Sequence, residues 1–326
     1  MKRPYFVELF AIANLIVIAL MTRGHDFIRP SWITILLLSI TLGTQALAGV
    51  AIRVVVALVR KRRGYLRRLR RSDWWLETAR LVFAIALTFF TYGWIKLAMP
   101  VVHPRLFDQE LWDLDQLLLF GAAPTVFILD VFGNQLFLKT IDWSYANIFM
   151  ASTAVAAAYF LSDPSRRVRV AFVNGNATLW LAGAWLYMLV PSLGPAYRFP
   201  DVWLAYGESL PRTQWLQGTL MRNYQNVLRA IRGEAHAPLN IMFGIAAFPS
   251  LHVAFQTYVF LWMRKLWTSG EVLFGIFAAA IFLGSMITGW HYLIDGLAGL
   301  VVAYVCWRVF WRRARMTRFL RLFHRT

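Results

Sequence analysis

Apolar residues arrive along the chain in runs of about 20, the length that crosses the hydrocarbon core of a bilayer. Eight such runs fall at 5–21, 33–58, 75–98, 143–162, 170–190, 248–266, 271–289 and 291–309. Hydrocarbon offers no partner to an unpaired N–H or C=O, so each run is predicted to be a helix. The stretch 106–141 breaks the pattern. It is apolar but interrupted by Asp108, Glu110, Asp113, Asp115 and Asp130, with Lys139 and Asp142 at its end. Charges placed that way predict one or two amphipathic helices lying at the interface. The segment 191–246 is the one long connection, with helical periodicity across 218–232. The expected fold class is an all-α integral membrane protein of about eight transmembrane helices. The expected organisation is a two-helix segment with a basic loop at 1–72, a main transmembrane unit at 73–310 and a basic tail at 311–326.

Composition agrees with the pattern. The chain is 59% hydrophobic and 15% charged, where a soluble domain averages about 45–50% and 25%. A lone cysteine, Cys306, excludes a disulfide within the chain and makes a cysteine metal cluster untenable. The net charge of +18 would suggest a nucleic-acid partner on a soluble protein. Its distribution says otherwise. Basic clusters at Lys2–Arg3, 60–71, 166–169, 264–265 and 308–325 all fall on one side of an eight-span topology, together with Arg53 and Arg80. That side holds 24 of the 34 Lys and Arg but 5 of the 16 acids. By the positive-inside rule both termini face the cytoplasm, and no nucleic-acid partner is expected. Lys2–Arg3 before an apolar core also fits a signal peptide, but no small-x-small cleavage site follows Leu20, so an uncleaved span is expected.

Ionisable groups at membrane depth are costly and therefore mark function. Two segments carry them: AAFPSLHVAF (246–255) and TGWHYLIDGLAG (288–299). His291 and Asp295 are four residues apart, which on a helix stacks them on one face. The carboxylate can then fix the imidazole tautomer and leave one nitrogen as nucleophile or base. A buried polar pair that merely locks helix packing is the competing reading. His252 follows Pro249 and Ser250 at a predicted helix start, where free backbone amides bind anions. The charge-derived topology brings both histidines to the extracytoplasmic face. A nucleophile and a general acid at one depth suit attack on a phosphoester.

FPSLH (248–252) followed by WHYLID (290–295) resembles the second and third motifs of the type 2 phosphatidic acid phosphatase superfamily. Those motifs read Pro-Ser-Gly-His and Ser-Arg-x5-His-x3-Asp. FPSLHVA and GWHYLIDGLAG are similar, more narrowly, to the inositol phosphorylceramide synthase-like branch of lipid phosphotransferases. FDQELWDLDQLLLFG (107–121) and VPSLGPAYRFP (190–200) extend the likeness. The resemblance implies a six-helix core of the phosphatidic acid phosphatase type, a phosphohistidine formed on His291, and Asp295 as its orienting carboxylate. It also implies that His252 protonates the leaving group and that Ser250 holds a phosphoryl oxygen. No cofactor and no metal is implied. The expected partners are a lipid donor and a hydroxyl acceptor on a lipid or glycan, at a bacterial inner membrane.

The sequence also departs from the pattern. The first motif, Lys-x6-Arg-Pro, has its nearest counterpart in Arg198 and Pro200, without the lysine, and Ser285 stands where the third-motif arginine belongs. A monoester dianion needs more neutralisation than a diester monoanion, so the departures favour a diester donor. Among the remaining extracytoplasmic bases, Lys96, Arg105, Arg198, Arg222, Arg229 and Arg232, the expectation settles on Arg198, with neighbouring Tyr197, as substrate contacts. Two other functions stay open: a lipid or polyprenyl phosphatase with water as acceptor, and a transporter using His291–Asp295 as a proton relay.

Other signals read as structural. Asp113-x-Asp115 is expected on a solvated helix face rather than on a metal. Asn174–Thr178 is expected to make interhelical hydrogen bonds rather than to carry a glycan. Trp74, Trp75, Trp94, Trp143, Trp290 and Trp307 are read as interfacial anchors, and His25, His103 and His324 as solvated. His236 is a weaker candidate for lining the site. The basic tail is expected to lie on anionic lipid.

Overall fold

The computed structural model describes residues 4–61, 63–267 and 270–319 and contains helices and loops, with no strand among the described residues. In chain order the first helices are α1 (Phe6–Met21), α2 (Ile33–Val59), α3 (Arg63–Leu69) and α4 (Ser72–Val102). Next come α5 (Asp108–Leu118), α6 (Pro124–Phe132), α7 (Gln135–Leu161) and α8 (Arg166–Leu189). The long connection contributes α9 (Pro195–Arg198), α10 (Pro200–Leu204) and α11 (Pro211–Ile231). The chain ends with α12 (Leu251–Leu266), α13 (Glu271–Ile287) and α14 (Leu293–Phe319).

Each of the eight apolar runs corresponds to one long helix: α1, α2, α4, α7, α8, α12, α13 and α14. By length and composition α2, α4, α7 and α14 are long and apolar enough to cross a membrane, and α1 and α13 are shorter apolar helices. The protein is an integral membrane protein on that basis. α8 and α12 carry more polar side chains, yet most of their residues are buried. α4 packs on α8, α2 and α1, while α12 packs on α13 and α14. Polar side chains tie these helices together: Trp185 donates to Asn14, Asn174 accepts from the Val7 N–H, and Tyr258 donates to the Phe172 carbonyl. Of the 174–178 run, Asn174 thus makes the interhelical bond.

Several boundaries differ from the sequence pattern. α5 and α6 are the expected interfacial helices, but Lys139 and Asp142 lie in the first turns of α7, which begins at Gln135 behind its Asn134 cap. Asp142 is buried because its carboxylate accepts the Arg212 and Thr213 N–H groups at 3.0 and 2.8 Å, capping α11. The charge that seemed to exclude these residues from a span is consumed by another helix's N-terminus. α11 starts at Pro211, seven residues earlier than its periodicity suggests. Trp74 and Trp94 are core residues, 6% and 5% exposed, rather than interfacial anchors; Trp74 lies under the Arg169 guanidinium. The tail begins as a continuation of α14; its last part, with His324, lies outside the described residues, as do Lys2, Arg3 and Arg62.

The basic clusters among the described residues gather at one end of the bundle. There Arg53 pairs with Asp163, Arg80 with Glu8, and both Arg166 and Arg169 with Glu77. Both histidine motifs lie at the other end.

Candidate active site

Two helix starts build the site. α12 begins at Leu251 because the Ser250 hydroxyl accepts the Val253 N–H, an N-cap that places His252 in the first turn. The Ser250 N–H in turn donates to the Asp295 carbonyl at 2.9 Å, joining α12 to α14. Gly299 permits this approach, since a Cβ there would lie 2.5 Å from the Ser250 carbonyl oxygen.

α13 ends at Ile287, and the chain reverses through Gly289, whose φ of +73° suits glycine. A Cβ on Gly289 would also sit 2.5 Å from the Trp203 ring. Beyond the turn, the N–H groups of Trp290 and His291 both donate to the Ser285 carbonyl. Ser285, at the position of the absent arginine, therefore serves the loop through its backbone. His291 precedes α14 rather than lying on it, so its pairing with Asp295 is a loop-to-first-turn contact. The helical i, i+4 geometry expected from spacing is corrected accordingly.

His291 is 3% exposed. Its Nδ1 lies 2.9 Å from the Ala247 carbonyl and 3.4 Å from Asp295 Oδ2. A carbonyl oxygen only accepts, so Nδ1 carries the proton and Nε2 presents a lone pair. Asp295 is fully buried; its Oδ2 accepts the Tyr292 N–H at 2.9 Å, and its Oδ1 has no partner. The His252 ring lies 5.9 Å from that of His291 and packs against Phe149 and Tyr145 of α7. The structure thus brings together His252, His291, Asp295 and Ser250.

Carboxylates of α5 hold the loops around this group. Asp108, Leu111 and Asp115 share the buried face of the helix. Asp115 accepts the Leu293 and Ile294 N–H groups at 2.7 and 2.9 Å, capping α14 beside His291. Asp108 accepts the Leu193 and Gly194 N–H groups and the Tyr292 hydroxyl. Burial pushes the Asp115 carboxyl up to about 6 and raises that of Asp108 as well, against the lowering effect of these hydrogen bonds. The solvated-face reading holds for Asp113, which is exposed, and fails for Asp115. Spacing alone could not reveal this, because the partners are backbone amides almost 180 residues away.

Arg198 and Tyr197, the expected substrate contacts, are engaged by neighbouring segments. Arg198 is exposed and donates to Gln109, and the Tyr197 hydroxyl donates to the Gln217 carbonyl while its ring meets Trp290. His236 is exposed and lies by Phe27, in the connection between α1 and α2. The cation near the histidines is Lys96 of α4, whose charge reaches both imidazoles. Its stem lies against Gly244, three residues before the carbonyl that holds His291. Its ammonium sits 5.8 Å from the ring centres of Tyr92 and Tyr187. Among the described residues no carboxylate pairs with it. The signal for Lys96 was a lone lysine inside an apolar run. Among the described residues, no three His, Cys, Asp or Glu side chains cluster as a metal site would require.

Residues 109–309, which include both histidine motifs but not Lys96, match the family model described as the PAP2 superfamily. No curated protein and no solved structure matches the chain significantly.

Proposed function

The chain belongs to the PAP2 superfamily, and from that premise we propose that it is a membrane lipid phosphotransferase working through a phosphohistidine. Membership makes it a lipid enzyme of the phosphatase or phosphotransferase type. The observation that carries the finer reading is the His291 hydrogen bond to the Ala247 carbonyl, which leaves Nε2 unprotonated with the His252 ring 5.9 Å away.

In the first half-reaction His291 Nε2 attacks phosphorus, the P–O bond to the lipid leaving group breaks, and His252 gives that oxygen a proton. Asp295 stabilises the positive charge that develops on the His291 ring. In the second, His252 takes the proton of an acceptor hydroxyl, whose oxygen attacks phosphorus as the P–N bond breaks. Lys96 neutralises the non-bridging oxygens, and the Ser250 hydroxyl holds one of them. One lysine near the histidines, with serine at 285, suits a diester monoanion better than a monoester dianion. The motif likeness favours a phosphoinositol-like head group passed to a lipid hydroxyl, as in inositol phosphorylceramide synthase-like enzymes. The charge distribution supports a site on the extracytoplasmic side of an eight-span protein with cytoplasmic termini.

The test is purified protein in mixed micelles with phosphatidylinositol labelled in its head group, with and without a ceramide acceptor. Label moving into a new lipid only when the acceptor is present is the expected result. Release of the water-soluble head-group phosphate at a rate indifferent to acceptor would replace the transferase reading with hydrolysis.

A further inference from the structure

The end of the bundle remote from the histidines carries two adjoining cavities. One, of about 860 Å³, lies among α2, α3 and α7 and the end of α12; its walls are mostly apolar, with Ile52, Val56, Val155 and Leu266, and Arg53 and Arg60 also border it. The other, of about 970 Å³, is lined by Arg68, Arg71, Arg80, Arg166, Arg167 and Arg169 against two acids, Asp73 and Glu77. Arg68 and Pro164 border both, so the apolar groove leads into the arginine chamber.

The chamber is a built site rather than a scatter of surface charge. Arg169 is 1% exposed, and its buried Nε has no hydrogen-bond partner. Glu77 serves both Arg166 and Arg169, so one carboxylate is shared between two guanidiniums. Arg71 reaches Asp73 only at 3.9 Å. With Glu8 paired to Arg80, six guanidiniums still face three carboxylates, and guanidiniums bind phosphate oxygens in pairs of parallel hydrogen bonds. An occupant needs an anionic phosphate and an apolar tail that runs at the depth of the helices. A zwitterionic lipid brings its own ammonium into a chamber already rich in cations.

We propose that this groove and chamber hold one anionic phospholipid, its phosphate among the arginines and an acyl chain between α2 and α7. The site is separate from the histidine pair: Asp73 and Lys96 stand about 35 Å apart along α4 at 1.5 Å per residue. The proposal does not depend on the reaction assigned to the histidines.

The test uses the full chain in micelles with a phosphatidylglycerol that bears a photoreactive group in its acyl chain, followed by peptide mapping. Label is expected on peptides spanning 49–68 and 155–169, displaced by unlabelled phosphatidylglycerol and not by phosphatidylcholine. R68Q/R71Q is expected to lower that label about thirtyfold, the loss of two basic residues at an anionic surface. V155W fills the groove at a half-exposed position without altering charge, and is expected to lower the label as well. Equal displacement by phosphatidylcholine, or label unchanged in both variants while the proteins elute as wild type, would overturn the proposal.

Discussion

Where α4 begins, arginines gather around a few carboxylates in ion pairs that range from open, as in Arg71–Asp73 with exposures of 73% and 58%, to buried, as in Arg169–Glu77 with 1% and 11%. Where α12 and α14 begin, His291 and Asp295 are held by backbone groups and almost wholly removed from solvent, and His252 packs on the rings of Phe149 and Tyr145. Solvated pairs are worth roughly 0–1 kcal/mol each. Charge at the arginine end is therefore plentiful, and only its open pairs add little to stability. The histidine end is the reverse case. Its charge is scarce and buried, and it is positioned by hydrogen bonds that span from α5 to α14, a cost that membrane proteins bear where chemistry is done.

The comparison breaks most visibly at His291. H291A is expected to lower turnover by about 10⁴-fold, since it removes the proposed nucleophile, with elution as wild type and a melting temperature lowered by loss of a buried, hydrogen-bonded side chain. H252A is expected to cost about 10²–10⁴-fold, the range for a general acid–base group. Near wild-type turnover in either variant would remove the histidine pair from the mechanism. K96M is expected to lower kcat/KM about 100-fold, as loss of one charge-assisted phosphate contact does. R198A, by contrast, is expected to stay within about twofold, because Arg198 is exposed and engaged with Gln109. The same assay run on both variants decides between the lysine and the arginine.

A smaller effect tests the support of the site by α5. Asp115 is raised from its ordinary 3.8 to about 6 by burial, so the fold favours its protonated form. Its contribution to stability is full below about pH 4 and is lost as pH rises through about 6. The melting temperature of the wild type is therefore expected to fall a few degrees from pH 5 to pH 7 relative to D115N. Parallel pH curves for the two proteins would show that Asp115 does not titrate in this range.

Much of this was legible in the sequence. Runs of apolar residues located the eight long helices, and the basic clusters fell at one end because span lengths fix which loops share a side. His252, His291 and Asp295 were identifiable because motif and topology agreed on one face. The supporting carboxylates were not. Asp108, Asp115 and Asp142 pair with N–H groups that every residue possesses, so no partner residue type advertises the contact. Lys96 is not legible in the same way as the RFP segment, because the fold brings it near the histidines from α4, outside the matched residues.

The central claim is that His291 becomes the phosphoryl carrier. Its most direct test is a rapid quench at neutral pH of purified protein turning over a native lipid extract, read by intact-protein mass spectrometry and peptide mapping. An acid-labile adduct is expected on His291, absent from H291A, with the mass of phosphate plus a head group for diester transfer, or of bare phosphate for hydrolysis of a monoester. Turnover without any adduct on the wild-type protein, or an adduct that persists in H291A, would contradict it.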